Sequence, residues 1–419
     1  MASVDGKRPR SPFSDLLVVD LTRVLAGPYC TMMLADMGAR VIKIEQPGSG
    51  DDSRAYGPFV DGKSVYFNFV NRGKESIALS LKDDEDRALF LRMVRRADVV
   101  VENFRPGTME RLGFSYDALA KINPRLIYAS CSGFGQTGPM SRQAAYDTVV
   151  QALSGIMSTT GFPGGPPTRV GASVADLTSG IYVFCGIVSA LYAREKTGKG
   201  ARVDVAMLDA MMTYLMHGIM EYVATGKTAG RLGNGHPSIT PFDTYQAADE
   251  QFVICAGGDE VFARLCRALG REDLATDPRF LNNTDRHINE AALRDALEAT
   301  LKANPASHWV ELLANAGVPA AKVQNVPEAF EMPQLKARNM IVNAGGLRML
   351  GNALKISGFE DPETRTPASA LDADGIDLRK EFGGPFADEA RMQLDLSQPR
   401  DLSGSPSTRD RSNPGRRGG

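Results

Sequence analysis

The feature that most constrains the fold lies in the first 135 residues, where short β-branched runs alternate with stretches of helical periodicity. Strands are predicted at Leu16–Leu21, Arg40–Ile44, Ser76–Leu81, Asp98–Val101 and Leu126–Ser130. Helices are predicted at about Pro28–Met37, Asp83–Arg96 and Met109–Ile122. Strand, helix, strand at this spacing implies βαβ units and a parallel sheet. Runs such as LLVVDL and DVVVENF are apolar on both faces, as a sheet covered by helices requires. The fold class is therefore α/β.

The middle of the chain reads differently. From Asp176 to Lys196 apolar residues recur at helical spacing, and the run ends in KTGKG, a basic, Gly-containing helix stop. A short strand, Arg202–Val205, leads into a Met-rich helix, Met207–Thr225, whose Met and aromatic positions are expected to be core. The segment GRLGNGHPSITP marks a boundary or a functional loop. After it comes a smaller α+β unit, with strands in FDTYQAADEQFVICAG and helices near 259–269, 290–303 and 307–316. The expected organisation is a flexible N-terminus (1–13), a large α/β domain (14–205), a linker helix (206–227) and a small α+β domain (228–328). A return linker that completes the large domain (329–385) and a polar, Gly/Pro-rich tail (386–419), expected to be disordered, follow.

Composition limits the partners. With 48 basic and 50 acidic side chains the net charge is −2, so nothing attracts nucleic acid or an anionic membrane globally, and any anion site must be local. Five cysteines without a CxxC pair fit a reducing compartment. The N-terminal segment lacks the apolar run of a secretory signal, and the most apolar stretch, Ile181–Ala193, is too short to span a bilayer. A cytoplasmic location with no membrane partner is expected.

Several familiar sites are missing. No GxGxxG follows the first strand, and no GxSxG elbow occurs. The four His are scattered and none falls in a metal spacing, so no metal is expected. Asp176, in VGASVADLTSG, opens the apolar helix. By local sequence alone a helix N-cap is the stronger reading. The same place also suits a nucleophile, because a helix N-terminus favours the carboxylate anion, and small residues at 171–173 let a thioester approach. Lys43, Lys82, Arg105 and Arg111 lie at or just beyond predicted strand ends, the edge where open parallel sheets bind ligands; singly each reads as a solvated charge, together they suit phosphates. Cys131 reads as a small core residue rather than a thiol nucleophile.

Six segments together point to a family: LTRVLAGPYCTMMLADMGARVIKIEQPGSGDDSR, NRGKESIALSLK, VENFRPGTMERLGF, INPRLIYASCSGFG, GPPTRVGASVADLTSG and KTGKGARVDVAMLDA. In this order they resemble the class III, formyl-CoA-transferase-like CoA-transferases, over about residues 14–385. The resemblance implies a large Rossmann-like, CoA-binding domain joined by long linkers to a small domain, in two chains interlocked as a homodimer. It places the catalytic aspartate at Asp176 and CoA contacts at Leu25, Ala26, Leu79, Ser80, Leu81, Lys82, Asn103, Phe104, Arg105, Arg111, Tyr146 and Met207. Tyr56 and the acidic neighbour Asp147 fall in the substrate pocket, and Gly233, Asn234, Gly235, His236 and Pro237 form the mobile loop that covers it.

The implied chemistry needs no permanently bound cofactor. Acyl-CoA and small carboxylic acids are the partners, and the reaction runs through aspartyl anhydride and aspartyl-CoA thioester intermediates. Departures narrow the substrates. The acyl-CoA racemases of this fold need a His where Tyr146 stands. Compared with formyl-CoA:oxalate enzymes, Leu25 replaces a Gln, Gln46 an Arg, Tyr56 a Trp and Ala144 a Lys. The segments GDDSRAYGPFVDGKS, AYDTVVQALSGIM and EYVATGKTAGRLGNGHP are similar to those of acetyl-CoA:oxalate CoA-transferases. Acetyl-CoA with oxalate is therefore the expected pair. Formyl-CoA with oxalate, and succinyl-CoA with a dicarboxylate, are the alternatives, ahead of an isomerase or an inert CoA binder.

Overall fold

In the computed structural model, which describes residues 11–383, six strands form one parallel sheet. They are β1 (Leu17–Asp20), β2 (Arg40–Glu45), β3 (Lys74–Ala78), β4 (Val99–Glu102), β5 (Ile127–Ser132) and β6 (Ala201–Ala206), in the order β3-β2-β1-β4-β5-β6. The expected parallel α/β sheet is thus present, and its central strands are as dry as their sequences require: Val18, Val19, Ile42, Val99, Val100 and Val101 are buried. The order reverses between β1 and β4. In sheets of this kind ligands bind outside the carboxyl ends of the strands at that switch point. The expected polar tail and most of the expected flexible N-terminus lie outside the described residues.

The described residues form two compact units: 11–144 with Gly180–Ala206 and 366–383, and Ala145–Ser179 with Met207–Arg365. In the first, the helix Asp84–Arg96 packs Leu89, Phe90, Met93 and Val94 with Phe114, Leu119 and Phe382. The Asp83 carboxylate accepts from the Glu85 and Asp86 amides at its start, and Arg95 and Arg96 sit in its last turn, both favourable to the helix dipole. The outer edge of β3 is covered by returning chain: the Ser76 amide donates to Asp374 (2.8 Å) and the Ala78 amide to Asp372 (2.8 Å).

The second unit contains an antiparallel sheet of β7 (Phe242–Gln246), β8 (Gln251–Cys255) and β9 (Ala320–Lys322). Phe252, Ile254, Phe262, Leu265, Leu297 and Trp309 belong to its core. Buried Arg286 is satisfied by the Thr240, Phe280 and Gly257 carbonyls and by Asp259.

Two helices differ from expectation, and a third, found where it is expected, is longer than its apolar stretch. Met109–Ile122 breaks into Thr108–Arg111 and Tyr116–Ile122, because Gly113 takes a φ of +80° and Ser115 caps the second piece. The Met-rich segment splits into Met207–Met212, a 3-10 turn and Met216–Thr225. Met207 and Met211 are core as expected, but Met212, Met216 and Met220 are 39%, 60% and 52% exposed. The apolar run judged too short for a bilayer lies inside a 24-residue helix, Val174–Thr197, which by length and hydropathy (1.7) passes the test for a membrane span. The helix outruns its apolar centre at both ends; Val183, Phe184 and Ile187 within it are buried in the protein.

Candidate active site

A cavity of about 430 Å³ opens at the carboxyl ends of β1, β2 and β3. Its walls are the turns Leu21–Arg23 and Leu79–Lys82, the end of β2 with Gln46 and Pro47 beyond it, and Phe104 from the turn after β4. Five of the expected CoA contacts therefore line one cavity: Leu79, Ser80, Leu81, Lys82 and Phe104. The turn that carries four of them is fixed by the Ser80 amide, which donates to Asp86 (2.7 Å). Leu25 and Ala26 stand where the loop after β1 enters the helix Ala26–Asp36; Leu25 occupies the N-cap position without a capping side-chain bond. The Asn103 side chain is engaged within the protein, accepting from the Arg23 amide (2.8 Å) and donating to the Arg23 carbonyl (2.8 Å). Arg105 and Arg111 are exposed, Arg111 donating to the Thr108 hydroxyl (3.1 Å). Tyr56 is half-exposed and stacks edge-on with Tyr66 (5.7 Å).

Lys43 does not match the expected phosphate-facing charge. It is 1% exposed, paired to Asp51 (2.9 Å) and bonded to the Thr22 carbonyl (2.7 Å). It belongs to a buried charge cluster in which Lys74 pairs with Asp20 (3.0 Å) and Arg54 with Glu45 (2.6 Å). Burial alone would raise the Asp20 carboxyl, but Lys74 and Lys43 outweigh it and hold Asp20 well below the usual range. Burial brings Lys74 down to about 8, against the pull of Asp20.

Asp176 lies in the second unit. It is the third residue of the helix Val174–Thr197, in the first turn rather than at the cap. The capping work is done by buried Asp147, which accepts from the Ala175 amide (2.8 Å). Asp147 also accepts from Gln151 (2.7 Å), and Gln151 in turn accepts from the Val170 amide (2.8 Å), which fixes the segment ahead of the helix. This relieves Asp176 of the cap role that its local sequence suggests. Among the described residues its carboxylate makes no hydrogen bond. Burial, then the negative charge of Asp147, push its pKa up to about 7. The expected pull of the helix N-terminus towards the anion is thus outweighed by burial and by Asp147, which favour the protonated form. Its environment combines partial desolvation with one charged neighbour, a pattern found at catalytic carboxyls.

Tyr146 immediately precedes the helix Asp147–Ser154 and is 76% exposed, while Met207 is buried at the start of its helix. The Gly233–Pro237 loop is anchored at both ends, Gly233 to the Gly161 carbonyl (2.9 Å) and His236 to the Phe242 carbonyl (3.2 Å). Asn234 donates to the Thr244 hydroxyl (3.3 Å). The rings of His236 and His217 meet edge to face at 5.5 Å, a pairing that their sequence separation hides. Gln151 and Asp51 were also not read from sequence; for Asp51 the acidic start of DDSR after a glycine was the available signal. Among the described residues, no group of three or more His, Cys, Asp or Glu is placed to hold a metal.

A doubly wound parallel sheet with a cavity at its carboxyl edge defines an α/β ligand-binding enzyme framework. The chain belongs to CoA-transferase family III, whose model matches residues 13–374, and it is an enzyme that transfers CoA. It is 58% identical over 388 residues to the acetyl-CoA:oxalate CoA-transferase of Acetobacter aceti, covering 92% of this chain and 100% of the relative. It is 42% identical to the succinate–glutarate CoA-transferase of Agrobacterium fabrum, covering 82% and 87% of the two chains. The crystal structure of a CaiB/BaiF family protein from Brucella suis, 40% identical, superposes with a TM-score of 0.80 over 89% of this chain and 100% of that one.

Proposed function

We propose that the chain moves CoA from acetyl-CoA to oxalate, giving oxalyl-CoA and acetate, with Asp176 as covalent nucleophile. The observation that carries this is the unbonded carboxylate of Asp176, freed by Asp147 acting as the helix cap. An Asp176 oxygen attacks the thioester carbonyl; the carbon–sulfur bond breaks, leaving a mixed anhydride and CoA thiolate. The thiolate attacks the aspartyl carbonyl and releases acetate. Oxalate attacks the resulting aspartyl thioester, expelling the thiolate and forming a second anhydride. The thiolate then takes the oxalyl group and frees Asp176. Both intermediates hydrolyse in water, so the Gly233–Pro237 loop is assigned the role of excluding it.

The acetyl-CoA and oxalate pair is supported by the relative at 58% identity over the whole of its length. The succinate–glutarate relative, at 42%, favours the alternative of a larger diacid. A panel of acetyl-, formyl- and succinyl-CoA against oxalate and longer dicarboxylates, ranked by kcat/KM, decides between them. Acetyl-CoA with oxalate is expected to lead by at least about tenfold; a higher value for succinyl-CoA with a five-carbon diacid overturns the assignment. Arg111→Ala is expected to weaken CoA binding about threefold to tenfold with kcat unchanged, as loss of one exposed phosphate contact would. Unchanged affinity in calorimetry removes Arg111 from the site.

The working form is assigned as an interlocked homodimer. Exposed Met216, Met220, Tyr222 and Val223 in one segment, and Ile181, Tyr182 and Tyr192 on the Val174–Thr197 helix, are the apolar surface a second copy would bury.

A further inference from the structure

We propose that Asp51 is a positioning residue for the CoA cavity, holding the Arg23–Leu25 loop in a strained backbone shape. The proposal rests on reading that cavity as the CoA site. After β1 the chain turns through Thr22–Leu25 into the helix Ala26–Asp36, and Leu21, Thr22 and Arg23 form one cavity wall. Val24, at the centre of this turn, has a φ of +68°. A β-branched residue enters the left-handed region only where its surroundings force it there, and such strain gathers at functional sites.

The forcing groups are identifiable. Asp51 accepts from the Val24 amide with both oxygens (3.1 and 3.3 Å). One residue earlier, Asn103 closes two bonds on the Arg23 backbone, and the Arg23 guanidinium pairs with Asp52 (2.6 Å). Asp51 is 2% exposed and itself immobilised: it accepts from the Ser53 amide (2.9 Å), the Ser53 hydroxyl (2.7 Å) and Lys43 (2.9 Å). Lys43 reaches past it to the Thr22 carbonyl (2.7 Å). The two halves of the ion pair therefore grip the loop on either side of Arg23. A buried ion pair is weak evidence for stability by itself. Here the same two groups fix the backbone of the cavity wall, which accounts for their burial at this place.

The test measures CoA affinity by calorimetry, together with kcat and KM for the acyl-CoA, in the full-length enzyme. Asp51→Asn removes the charge and is expected to weaken CoA and raise KM by about tenfold, with kcat within about threefold. Val24→Gly takes positive φ without strain, so it should bind within about threefold of the parent and restore most of the affinity lost in the double variant with Asp51→Asn. An Asp51→Asn protein that binds like the parent, or a double variant that gains nothing from Gly, overturns the proposal. If Asp51→Asn does not fold, Val24→Pro decides: its φ is fixed near −65° and it lacks the amide that Asp51 accepts from, so affinity is expected to fall at least about tenfold. Parent-like binding by Val24→Pro overturns it. Lys82→Ala, in the opposite wall, tests the cavity reading separately. If that change leaves affinity untouched, the CoA assignment fails; if it weakens binding and the loop variants do not, only the role of Asp51 fails.

Discussion

Asp176→Ala is expected to lower kcat for CoA transfer by at least about 10³-fold while leaving CoA affinity within about threefold of the parent. The carboxylate is the atom that forms each covalent intermediate, and without it no acyl group leaves the thioester. Rapid-quench trapping should likewise find no covalently bound CoA on the variant. A variant that turned over at a tenth of the parent rate would refute the covalent role. The same residue makes a stability prediction of opposite sign. Its folded pKa of about 7 lies above the ordinary 3.8. Between these values the folded state binds the additional proton, so stability falls as pH rises from about 4 to about 7, and the ionised group opposes folding above that range. Asp176→Asn is uncharged and is expected to be more stable than the parent at pH 8, on the order of 2 kcal/mol after allowing for partial exposure. Denaturant unfolding at pH 5 and pH 8 checks it; the gain should shrink at pH 5.

Asp147→Ala is expected to cost about 10–100-fold in kcat, because it releases the segment ahead of the helix and frays the turn that presents Asp176. Loss of the bond to the Ala175 amide should also lower stability by about 1 kcal/mol. Asp147→Asn separates geometry from charge. Its amide oxygen still accepts from the Ala175 amide, but the like charge that helps to hold Asp176 near 7 is gone. The Asp176 carboxyl should then ionise at lower pH, and the acid limb of the kcat/KM profile should move down by about one unit. An unmoved limb would mean that the titrating group is not Asp176.

Much of the first unit was legible because a parallel sheet buried on both faces writes continuous apolar runs into its strands. Arg40–Glu45 and Val99–Glu102 fall within a residue or so of the predicted spans. The predicted strand Ser76–Leu81 is instead Lys74–Ala78, so Leu79–Lys82 become the turn that lines the cavity. Periodicity could not resolve this, since IALSL continues apolar past the last ladder bond. At the site, Asp176 could be singled out but its state could not. The cap that frees it comes from Asp147, which accepts from an amide 28 residues downstream at Ala175, and no local rule links the two. The fate of Lys43 was hidden for the same reason: a lysine at a strand end reads as a solvated charge until Asp51 and the Thr22 carbonyl are brought against it. Nor can periodicity tell a helix face that meets the protein core from one left open, which is why the methionines divided between buried and exposed.

The cover over the outer edge of β3 has a consequence for biosynthesis. The partners of Ser76 and Ala78 are encoded 298 and 294 residues later, at Asp374 and Asp372. At about 5–20 residues per second a ribosome needs about 15–60 s to supply them. Throughout that interval the N-terminal strands have emerged with one flank bare, and any extended polypeptide nearby can pair with it. The species at risk of aggregation is the nascent chain rather than the finished enzyme.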